Sequence, residues 1–402
     1  MGTPRGERRW GVSRRAFFGA GLRLGAGLVL GGVSGLLRSP LALAQGRDAI
    51  VPGKERMIVR SLRYLNLEMP VHLLDSVITP VELFYVRNHV AYPSVNLAEW
   101  RLVVSGEVEK PLELTYDELQ RREAASVTNT LECAGNGRAF HRPRVPGLQW
   151  VRGAVGNATF SGPRLADLLR RAGLKAGARH VAFNGLDEPP GKVPDFIRSI
   201  PLEKALHPDT LLATHMNGAR LSIYHGFPVR ALVAGWLGAA SVKWLTEIRV
   251  LRDEFDGNFM KPAYRMPSRP VAPGAEVSAD ATEVITALPV KSIIARPSDG
   301  AHLKLAPLRI VGAAWAGEQS IVRVDISTDG GSSWQTAGLS GHAAPYAWRL
   351  WERVWQPPGP GYYAILSRAT DSAGRTQPVV AAWNASGYLW NAVDQVGVDV
   401  EA

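Results

Sequence analysis

The sequence predicts two structural classes in one chain, an α+β body followed by an all-β immunoglobulin-like sandwich. Residues 81–252 mix strand-like apolar runs with short stretches of helical periodicity, whereas the residues from 292 onward alternate in short strands separated by turn residues. Between them, residues 253–289 are rich in proline and irregular, as expected of a linker. We therefore predict a signal segment at 1–44, a body at 45–270 and a sandwich at 271–402.

The N-terminus predicts an export signal of the twin-arginine type. Arg14 and Arg15 lie in the segment 13–18, a glycine-rich and weakly apolar run follows at 19–37, and a small-residue pattern ends at Ala44. The alternative is a membrane anchor, but a spanning helix needs about 20 strongly apolar residues and this run contains Arg23. We expect cleavage near Gln45, a periplasmic mature chain exported in its folded state, and no membrane span after cleavage.

The formal charge of +10 is concentrated in the predicted signal. Seven arginines and one glutamate give residues 1–44 a net charge of +6, which leaves the remainder with 39 basic and 35 acidic groups. So mild a balance over about 358 residues predicts no nucleic-acid partner.

The body is predicted to combine strands with short helices. Residues 102–104 and 181–183 read as strands, and 165–169 reads as a helix. Thr115 is a predicted N-cap for a second helix that begins at Tyr116. Residues 45–80 are predicted to be an irregular lead-in.

The sandwich prediction depends on a hairpin pattern and on aromatic content. Residues 322–327 alternate as a strand, the turn residues Asp329, Gly330 and Gly331 follow, and the chain returns at 334–335. Roughly 110 residues of this kind are typical of an immunoglobulin-like fold. Large side chains for its core are present at Trp348, Trp351, Tyr362, Tyr363 and Trp383.

The segment TNTLECAGNGRAF, residues 128–140, holds the single cysteine of the chain, Cys133. One cysteine forms no internal disulfide, so Cys133 is an inert buried thiol, an intermolecular bridge or a ligand. The polar neighbours Glu132, Asn136 and Arg138, together with two glycines, favour the ligand.

Three further groups carry polar residues at suggestive spacing. Arg87 and His89 lie two apart, Asp187 follows a predicted strand, and the segments 225–230 and 241–244 place His225, Arg230, Ser241 and Lys243 near turns. Each group also has an ordinary structural interpretation. The first fits a polar strand edge, the second an aspartate in a turn, and the third a set of surface ion pairs. The cationic and hydroxyl side chains together would suit a phosphate or another anion.

In this order, these segments resemble the sulfite oxidase family of molybdenum enzymes. The combination of LECAGNGR, HGFPVR and SVKWL carries the likeness, which runs from about residue 60 to the C-terminus. Within the family, the chain most resembles the molybdenum subunit of bacterial sulfane dehydrogenases. The sandwich then corresponds to the family's dimerisation domain.

The resemblance implies a molybdenum–molybdopterin cofactor with Cys133 as metal ligand, which suits a soft thiolate donor. It further implies that Arg138 faces a substrate oxyanion, that Tyr264 is an active-site tyrosine and that Trp150 shapes the pocket. Tyr264 is also open to another interpretation, a linker residue that packs on the body, since Ala263 replaces the family's preceding aspartate. The residues implied to hold the cofactor or line the metal pocket are Arg87, His89, Cys133, Asp187, His225, Arg230, Ser241 and Lys243.

One departure from the family concerns the substrate. Animal sulfite oxidases carry a second pocket arginine where this chain has Ser386, and the loss of one guanidinium should weaken binding of a free dianion by roughly 1–3 kcal/mol. The resemblance implies oxidation of sulfur by oxygen-atom transfer, and with this departure we expect sulfane sulfur on a carrier protein, or sulfite, as the substrate.

The predicted electron acceptor is a c-type cytochrome subunit, because a Cys-x-x-Cys-His haem attachment needs two cysteines and no haem is expected in this chain. A homodimer or heterotetramer is the implied assembly. The alternatives are a free-sulfite dehydrogenase, a methionine sulfoxide reductase with the same cofactor body, and a non-catalytic exported binding protein. The reductases usually lack a C-terminal sandwich.

Overall fold

The structure, a computed structural model, describes residues 51–341 and 343–402. The predicted export signal lies outside these residues. Among the described residues, no helix is long and apolar enough to cross a membrane. The described residues form one compact unit.

Thirteen strands of the body build two larger sheets and two small ones. The five-stranded sheet has the order β4-β3-β13-β7-β8, in which β3 and β13 are parallel and the other pairs antiparallel. The four-stranded antiparallel sheet has the order β11-β10-β6-β5, and β12-β9 and β1-β2 are antiparallel pairs. The strands are β1 (Ile58–Ser61), β2 (Asn66–Glu68), β3 (Leu102–Gly106), β4 (Leu112–Leu114), β5 (Ala124–Glu132), β6 (Val155–Pro163), β7 (His180–Gly185), β8 (Arg198–Pro201), β9 (Thr210–Ala213), β10 (His215–Met216), β11 (Ala219–Arg220), β12 (Arg230–Val233) and β13 (Leu245–Leu251).

Short helices cover these sheets, and both predicted helices are confirmed. They are α1 (Tyr116–Gln120), α2 (Leu165–Ala172) and α3 (Leu202–Leu206). The Thr115 hydroxyl accepts the Glu118 amide at 3.2 Å, and the Glu118 carboxylate accepts the Thr115 amide at 2.8 Å, which completes a capping box. Helix α2 buries Leu165, Leu168 and Leu169 in the core of the body, as its apolar spacing requires.

Two segments predicted to be irregular contain short antiparallel ribbons. The lead-in includes β1 and β2, and the linker includes β14 (Arg265–Pro267) paired with β15 (Thr282–Val284). The Arg265 side chain holds the second ribbon, because it donates to the Thr282 hydroxyl and carbonyl, each at 3.0 Å. A ribbon of three residues per strand is too short to show the alternation by which longer strands are recognised.

The C-terminal region is a sandwich of two sheets, as predicted. Sheet β16-β18-β22-β21 faces sheet β17-β24-β23-β19-β20 across a core that includes Ile294, Ile310, Ile326 and Val398. The predicted hairpin is present, since β19 pairs antiparallel with β20. The strands are β16 (Lys291–Arg296), β17 (Ala301–Lys304), β18 (Leu308–Trp315), β19 (Ile321–Ser327), β20 (Gln335–Thr336), β21 (Gly338–Leu339), β22 (Arg349–Trp355), β23 (Gly361–Asp371) and β24 (Asp394–Glu401).

One hydrophobic cluster runs from the body into the sandwich. Leu131 and Trp150 of the body lie in the same buried cluster as Trp315 and Trp348 of the sandwich. The strand that leads to Cys133 therefore ends against the sandwich. The boundary predicted at residue 270 stays a prediction.

Candidate active site

The structure brings all eight predicted cofactor residues, Cys133 among them, together with Tyr264 in one deep cleft. The cleft lies where strands of different sheets end, because Cys133 follows β5, Asp187 follows β7, Arg230 begins β12 and Lys243 precedes β13. The predicted site residues that line it are Arg87, His89, Cys133, Asp187, His225, Arg230, Ser241, Lys243 and Tyr264.

Cys133 occupies a tight turn directly after β5. Its amide donates to the Ala154 carbonyl and its carbonyl accepts the Asn136 amide, both at 2.9 Å. Gly137 adopts φ +92°, a left-handed conformation that favours glycine. A Cβ on Gly135 would approach the Arg138 guanidinium to 2.6 Å, so the two glycines let the loop fold back on itself with the thiol half-buried in the cleft.

Arg230 forms the cationic end of the deep cleft. The side chain is 5% exposed, and its two terminal nitrogens donate to the carbonyls of His225 at 3.1 Å and Ser241 at 3.0 Å. Its Nε is buried without a hydrogen-bond partner among the described residues. Burial lowers the pKa of Arg230 to about 10, which still leaves it charged at neutral pH.

Lys243 adds a second cation beside Arg230. Its Nζ donates to the Tyr224 carbonyl at 3.1 Å and also contacts the Asn88 side-chain oxygen. Burial, and then the neighbouring Arg230 charge, lowers the pKa of Lys243 well below its usual value. The Asn88 amide nitrogen is buried without a partner among the described residues, and Asn88 also lines the cleft.

Lys54 supports the cleft from behind, a role that no sequence pattern indicated. Its Nζ lies 2.8 Å from the Phe84 carbonyl and 3.0 Å from His225 Nε2, and the residue is 3% exposed. Burial lowers the pKa of Lys54 to about 7, although the Glu82 charge acts in the opposite direction. Burial, followed by the Lys54 charge, lowers the pKa of His225 well below its usual value, so His225 is neutral.

Asp187 is the one predicted carboxylate of the cleft. It is 6% exposed, and burial raises its pKa to about 7, while the Lys243 charge opposes that rise. Near neutral pH, Asp187 can therefore accept or donate a hydrogen bond to a ligand edge.

Tyr264 and His89 join the deep cleft to its mouth. The Tyr264 hydroxyl and His89 Nε2 share a hydrogen bond of 2.9 Å, and Phe196 stacks on the His89 ring with centroids 4.1 Å apart. Tyr264 has φ +58°, a strained conformation for a bulky residue that directs its ring into the cleft. Burial raises the pKa of Tyr264, which keeps its hydroxyl protonated.

A second, outer cleft opens from the same residues. Arg87, His89, Cys133 and Tyr264 line both clefts, and the outer one adds residues from two further segments. These include Gly135, Arg138, Gly147, Leu148, Phe259, Ala263, Ala385, Ser386 and Tyr388. Cys133 thus lies at the junction of a deep cationic cleft and a shallower one that residues 385–388 partly close.

Arg138 is fixed in the outer cleft by its own chain. Its Nε donates to the Ser386 carbonyl at 2.9 Å and its Nη1 to the Leu148 carbonyl at 3.0 Å. Its Nη2 makes no such bond to the described residues and remains as a donor toward the cleft. These two bonds hold the guanidinium in one orientation and leave both N–H groups of Nη2 free for a ligand.

Two tyrosines and two arginines form a stacked column at the mouth. Tyr388 lies parallel to Tyr264 with ring centroids 5.3 Å apart, Arg198 lies over the Tyr264 ring at 4.9 Å, and Arg138 lies over the Tyr388 ring at 5.5 Å. The column links the buried Arg198 to Arg138. Tyr388 and Arg198 were not among the predicted site residues.

Trp150 is the predicted site residue that the structure does not bring to the described lining of either cleft. It is fully buried, and its carbonyl accepts the Ala139 amide at 3.1 Å, so it supports the loop that carries Arg138. Its size and apolar ring favour the core over a polar cleft.

Comparison with known proteins agrees with this geometry. Residues 89–259 match the family model described as "Oxidoreductase molybdopterin binding domain", and residues 282–401 match "Mo-co oxidoreductase dimerisation domain". Sulfite oxidase of Gallus gallus is 40% identical over 347 residues, which cover 82% of this chain and 75% of that protein. The Homo sapiens mitochondrial sulfite oxidase is 38% identical, over 85% of this chain and 65% of that protein.

The chain belongs to the sulfite oxidase family of molybdopterin oxidoreductases. Among solved structures, the sulfane dehydrogenase SoxCD from Paracoccus pantotrophus superposes with a TM-score of 0.72 at 29% identity, covering 83% of this chain and 84% of that one. The resemblance to the sulfite oxidase family and the two-domain fold predicted from the sequence are thereby confirmed, and so is the prediction that the chain is an enzyme. The interpretation as a non-catalytic binding protein is wrong.

The deep cleft fits the anionic cofactor of this family. Arg87, Arg230 and Lys243 line it without a carboxylate ion-pair partner within 4 Å among the described residues, and the Arg230 Nε is a buried donor that lacks an acceptor. A buried cation such as Arg230 is costly unless a ligand supplies the counter-charge. Among the described residues, no group of three or more histidine, cysteine or acidic side chains could hold a metal ion.

Replacing Lys54 with methionine will flatten the pH dependence of the stability of the cofactor-free protein between about pH 7 and 10.5. In that window the unfolded chain protonates Lys54 and the folded chain does not, so wild-type stability falls as the pH drops. One pKa unit corresponds to about 1.4 kcal/mol. Between pH 10 and pH 7, we expect the Tm of the wild type to fall more than the Tm of the variant. The difference between the two decreases should be on the order of 5 °C.

Differential scanning calorimetry over a pH series measures this difference. Lys110→Met provides the control, because Lys110 is exposed. Parallel Tm curves for wild type and Lys54→Met would contradict the assignment of a buried, deprotonated Lys54.

Proposed function

We propose that the chain is a periplasmic molybdenum oxidoreductase that oxidises sulfane sulfur on a carrier protein, or sulfite, and passes the electrons to a c-type cytochrome. The observation that carries the proposal is the junction of the two clefts. Cys133 faces a deep cleft suited to an anionic cofactor, and Arg138 faces the outer cleft directly beside it. The class of reaction follows from the family, and the substrate follows from the outer cleft.

We assign the cofactor to the deep cleft and the metal bond to Cys133. Arg230, Ser241 and Lys243 supply cationic and hydroxyl donors for a phosphate, while His89 and Asp187 supply hydrogen bonds for a pterin edge. His225 and Arg87 line the same cleft. When bound, the molybdenum cofactor supplies oxygen-atom transfer to sulfur and takes up two electrons.

In this proposal the protein side chains at the junction orient the sulfur substrate. The Nη2 of Arg138 binds an oxygen of the substrate, because the Nε and Nη1 atoms of that guanidinium already donate to the Ser386 and Leu148 carbonyls. The Tyr264 hydroxyl, held by His89, lies at the boundary of both clefts and can hydrogen-bond to the substrate without losing its proton. Tyr388 closes one wall and limits access of water.

The proposed preference for carrier-bound sulfur depends on residues 386 and 388. Ser386 offers a short neutral side chain to the outer cleft, so an oxyanion meets Arg138 and Arg87 there without the further arginine that position 386 would add. Tyr388 adds an aromatic surface that suits an apolar or extended group attached to the sulfur. A protein-bound persulfide carries less charge than sulfite and brings binding energy from its carrier.

A second candidate is a dehydrogenase of free sulfite. The 40% identity to the Gallus gallus sulfite oxidase favours it. In that case Arg138 and Arg87, which lines both clefts, are sufficient to bind the dianion.

The proposed export, acceptor and assembly rest on separate observations. The twin-arginine pattern at Arg14 and Arg15 supports folded export to the periplasm. A single cysteine supports an external c-type cytochrome. The match of residues 282–401 to a dimerisation domain supports a homodimer, and the likeness to SoxCD supports a larger assembly with a cytochrome subunit.

Steady-state turnover of free sulfite and of a protein-bound persulfide, with cytochrome c as acceptor, tests the proposed substrate. We expect the persulfide to have the higher kcat/KM, and we expect Ser386→Arg to raise kcat/KM for sulfite about tenfold, which equals about 1.4 kcal/mol. Ser386→Gln is the control, since it adds length without charge. Efficient turnover of free sulfite at micromolar concentration, unchanged in Ser386→Arg, would select the second candidate.

A further inference from the structure

The residue before the proposed metal ligand, Glu132, is buried and fully bonded. Its Oε1 accepts Lys291 Nζ at 2.7 Å and Asn136 Nδ2 at 2.9 Å, while its Oε2 accepts Trp315 Nε1 at 2.8 Å. The Glu132 and Lys291 side chains are each 5% exposed. One carboxylate therefore receives three donors from three separate segments of the chain.

Two of these donors come from the sandwich. Lys291 begins β16 and Trp315 ends β18, and the two residues are direct partners in the antiparallel register of those strands. The sandwich thus presents a cation and an indole N–H side by side to the carboxylate. β16 and β18 contribute Ile294 and Ile310 to the core of the sandwich, while Trp315 packs in the cluster that the sandwich shares with the body, so the strands of the sandwich hold both donors against the Cys133 loop.

Asn136 transmits this fixed position to the cysteine. Its Nδ2 holds the Glu132 carboxylate, its Oδ1 accepts the Ala154 amide at 3.1 Å, and its own amide donates to the Cys133 carbonyl at 2.9 Å. The Lys291 ammonium also reaches the Asn136 carbonyl at 3.4 Å. The peptide groups on both sides of Cys133 are therefore tied to the same buried ion pair.

Stability alone is a weak reason for this arrangement. A buried ion pair usually adds little net stability over well-packed apolar residues, because both charges must leave water. The location of the pair indicates another role, because it contacts the turn that orients the Cys133 thiol. Supporting contacts of this kind orient metal ligands and adjust their properties.

We propose that Glu132 is a positioning residue for Cys133 and that Lys291, with Trp315, makes the sandwich part of the metal site. The pair holds the main chain from 132 to 136 so that the thiolate points into the deep cleft at one angle. The inference rests on the proposed role of Cys133 as the molybdenum ligand.

The variants Lys291→Met, Glu132→Gln and the double variant Glu132→Gln/Lys291→Met test the proposal. In the molybdenum-loaded protein, we expect altered Mo(V) electron paramagnetic resonance g-values and a shifted thiolate-to-molybdenum absorption band. In the cofactor-free protein, N-ethylmaleimide modifies only Cys133, since the chain has no other cysteine. We expect all three variants to raise the rate of this modification about tenfold, because the Cys133 loop opens more easily in them.

Two controls separate positioning from general stabilisation. Lys291→Arg keeps the charge and should restore the wild-type spectrum. Lys204 also joins the body to a carboxylate of the sandwich, Glu318, but it lies away from both clefts. We therefore expect Lys204→Met to lower Tm without changing the molybdenum spectra or the rate of maleimide modification. The double variant leaves no uncompensated buried charge, so it keeps the test available if Lys291→Met does not fold.

The outcomes are distinguishable. If the variants lower Tm as Lys204→Met does but leave the g-values and the modification rate unchanged, the pair is only structural and the proposal is overturned. If Cys133→Ser keeps the absorption band, the ligand assignment fails instead. In that case the maleimide rate in cofactor-free protein still reports whether Glu132 positions Cys133.

Discussion

Cys133→Ser will leave the fold intact and abolish most of the activity. Loss of the supporting contacts of a metal ligand costs roughly 10–100-fold, so loss of the ligand itself should cost more than about 100-fold in kcat. A serine hydroxyl is a harder and less polarisable donor than a thiolate, and a high-valent molybdenum already bound by sulfur favours the softer atom. Sulfite turnover, together with the thiolate-to-molybdenum absorption band, measures the effect.

The same variant should keep its molybdenum, because the deep cleft holds the rest of the cofactor. Serine differs from cysteine by one atom, and the Cys133 backbone bonds to Ala154 and Asn136 do not involve the side chain. We expect the opposite result for Arg230→Met, which keeps the Cys133 thiol but should lose the cofactor. Wild-type turnover and metal coordination in Cys133→Ser would refute the ligand assignment and the proposed function with it.

Much of the two clefts was predictable because their residues lie in short contiguous segments. Cys133 and Arg138 share one loop, and His225 and Arg230 share one turn, so their proximity depends on local structure. Joining these segments required the family resemblance, since spacing alone does not show that β5, β7 and β12 end at one place. The structure supplies that convergence directly.

The residues that the sequence missed act over long chain separations. Lys54 lies in a segment that reads as irregular, and only the folded chain brings it to His225. Tyr388 lies between β23 and β24 of the sandwich, yet it stacks on Tyr264 at the mouth. Both contacts need tertiary structure, because no periodic pattern links the partners.

Trp150 and Glu132 also show that tertiary structure decides the role of a residue. The first was predicted to line the pocket and does not, and the second was given no role and has one. Trp150 lies close to Arg138 in the chain, yet the structure packs it into the core behind the loop. Glu132 was noted only as a polar neighbour of Cys133, yet its carboxylate joins the loop to the sandwich. Burial and partners decide both roles, and neither is visible in the local sequence.

Arg138→Met will raise KM for free sulfite about 10–100-fold, with a smaller fall in kcat. A charged hydrogen bond to an oxyanion contributes about 1.5–3 kcal/mol, and in this pocket Ser386 offers no second guanidinium to compensate. Arg138→Lys should recover part of the loss, because a point charge replaces the planar fork that the Ser386 and Leu148 carbonyls hold in place. Steady-state kinetics and inhibition by sulfate, a non-reacting oxyanion, measure the change.

Arg142→Met is the matched control for this prediction. Arg142 lies four residues further along the same loop, is exposed, and donates to the Ala139 and His141 carbonyls at 2.8 and 2.9 Å. Its removal disturbs the loop without removing a cation from the outer cleft, so KM and sulfate inhibition should stay within about twofold of wild type. If both variants raise KM equally, the effect of Arg138 is conformational, and the substrate must be bound by Arg87 at the junction of the clefts instead.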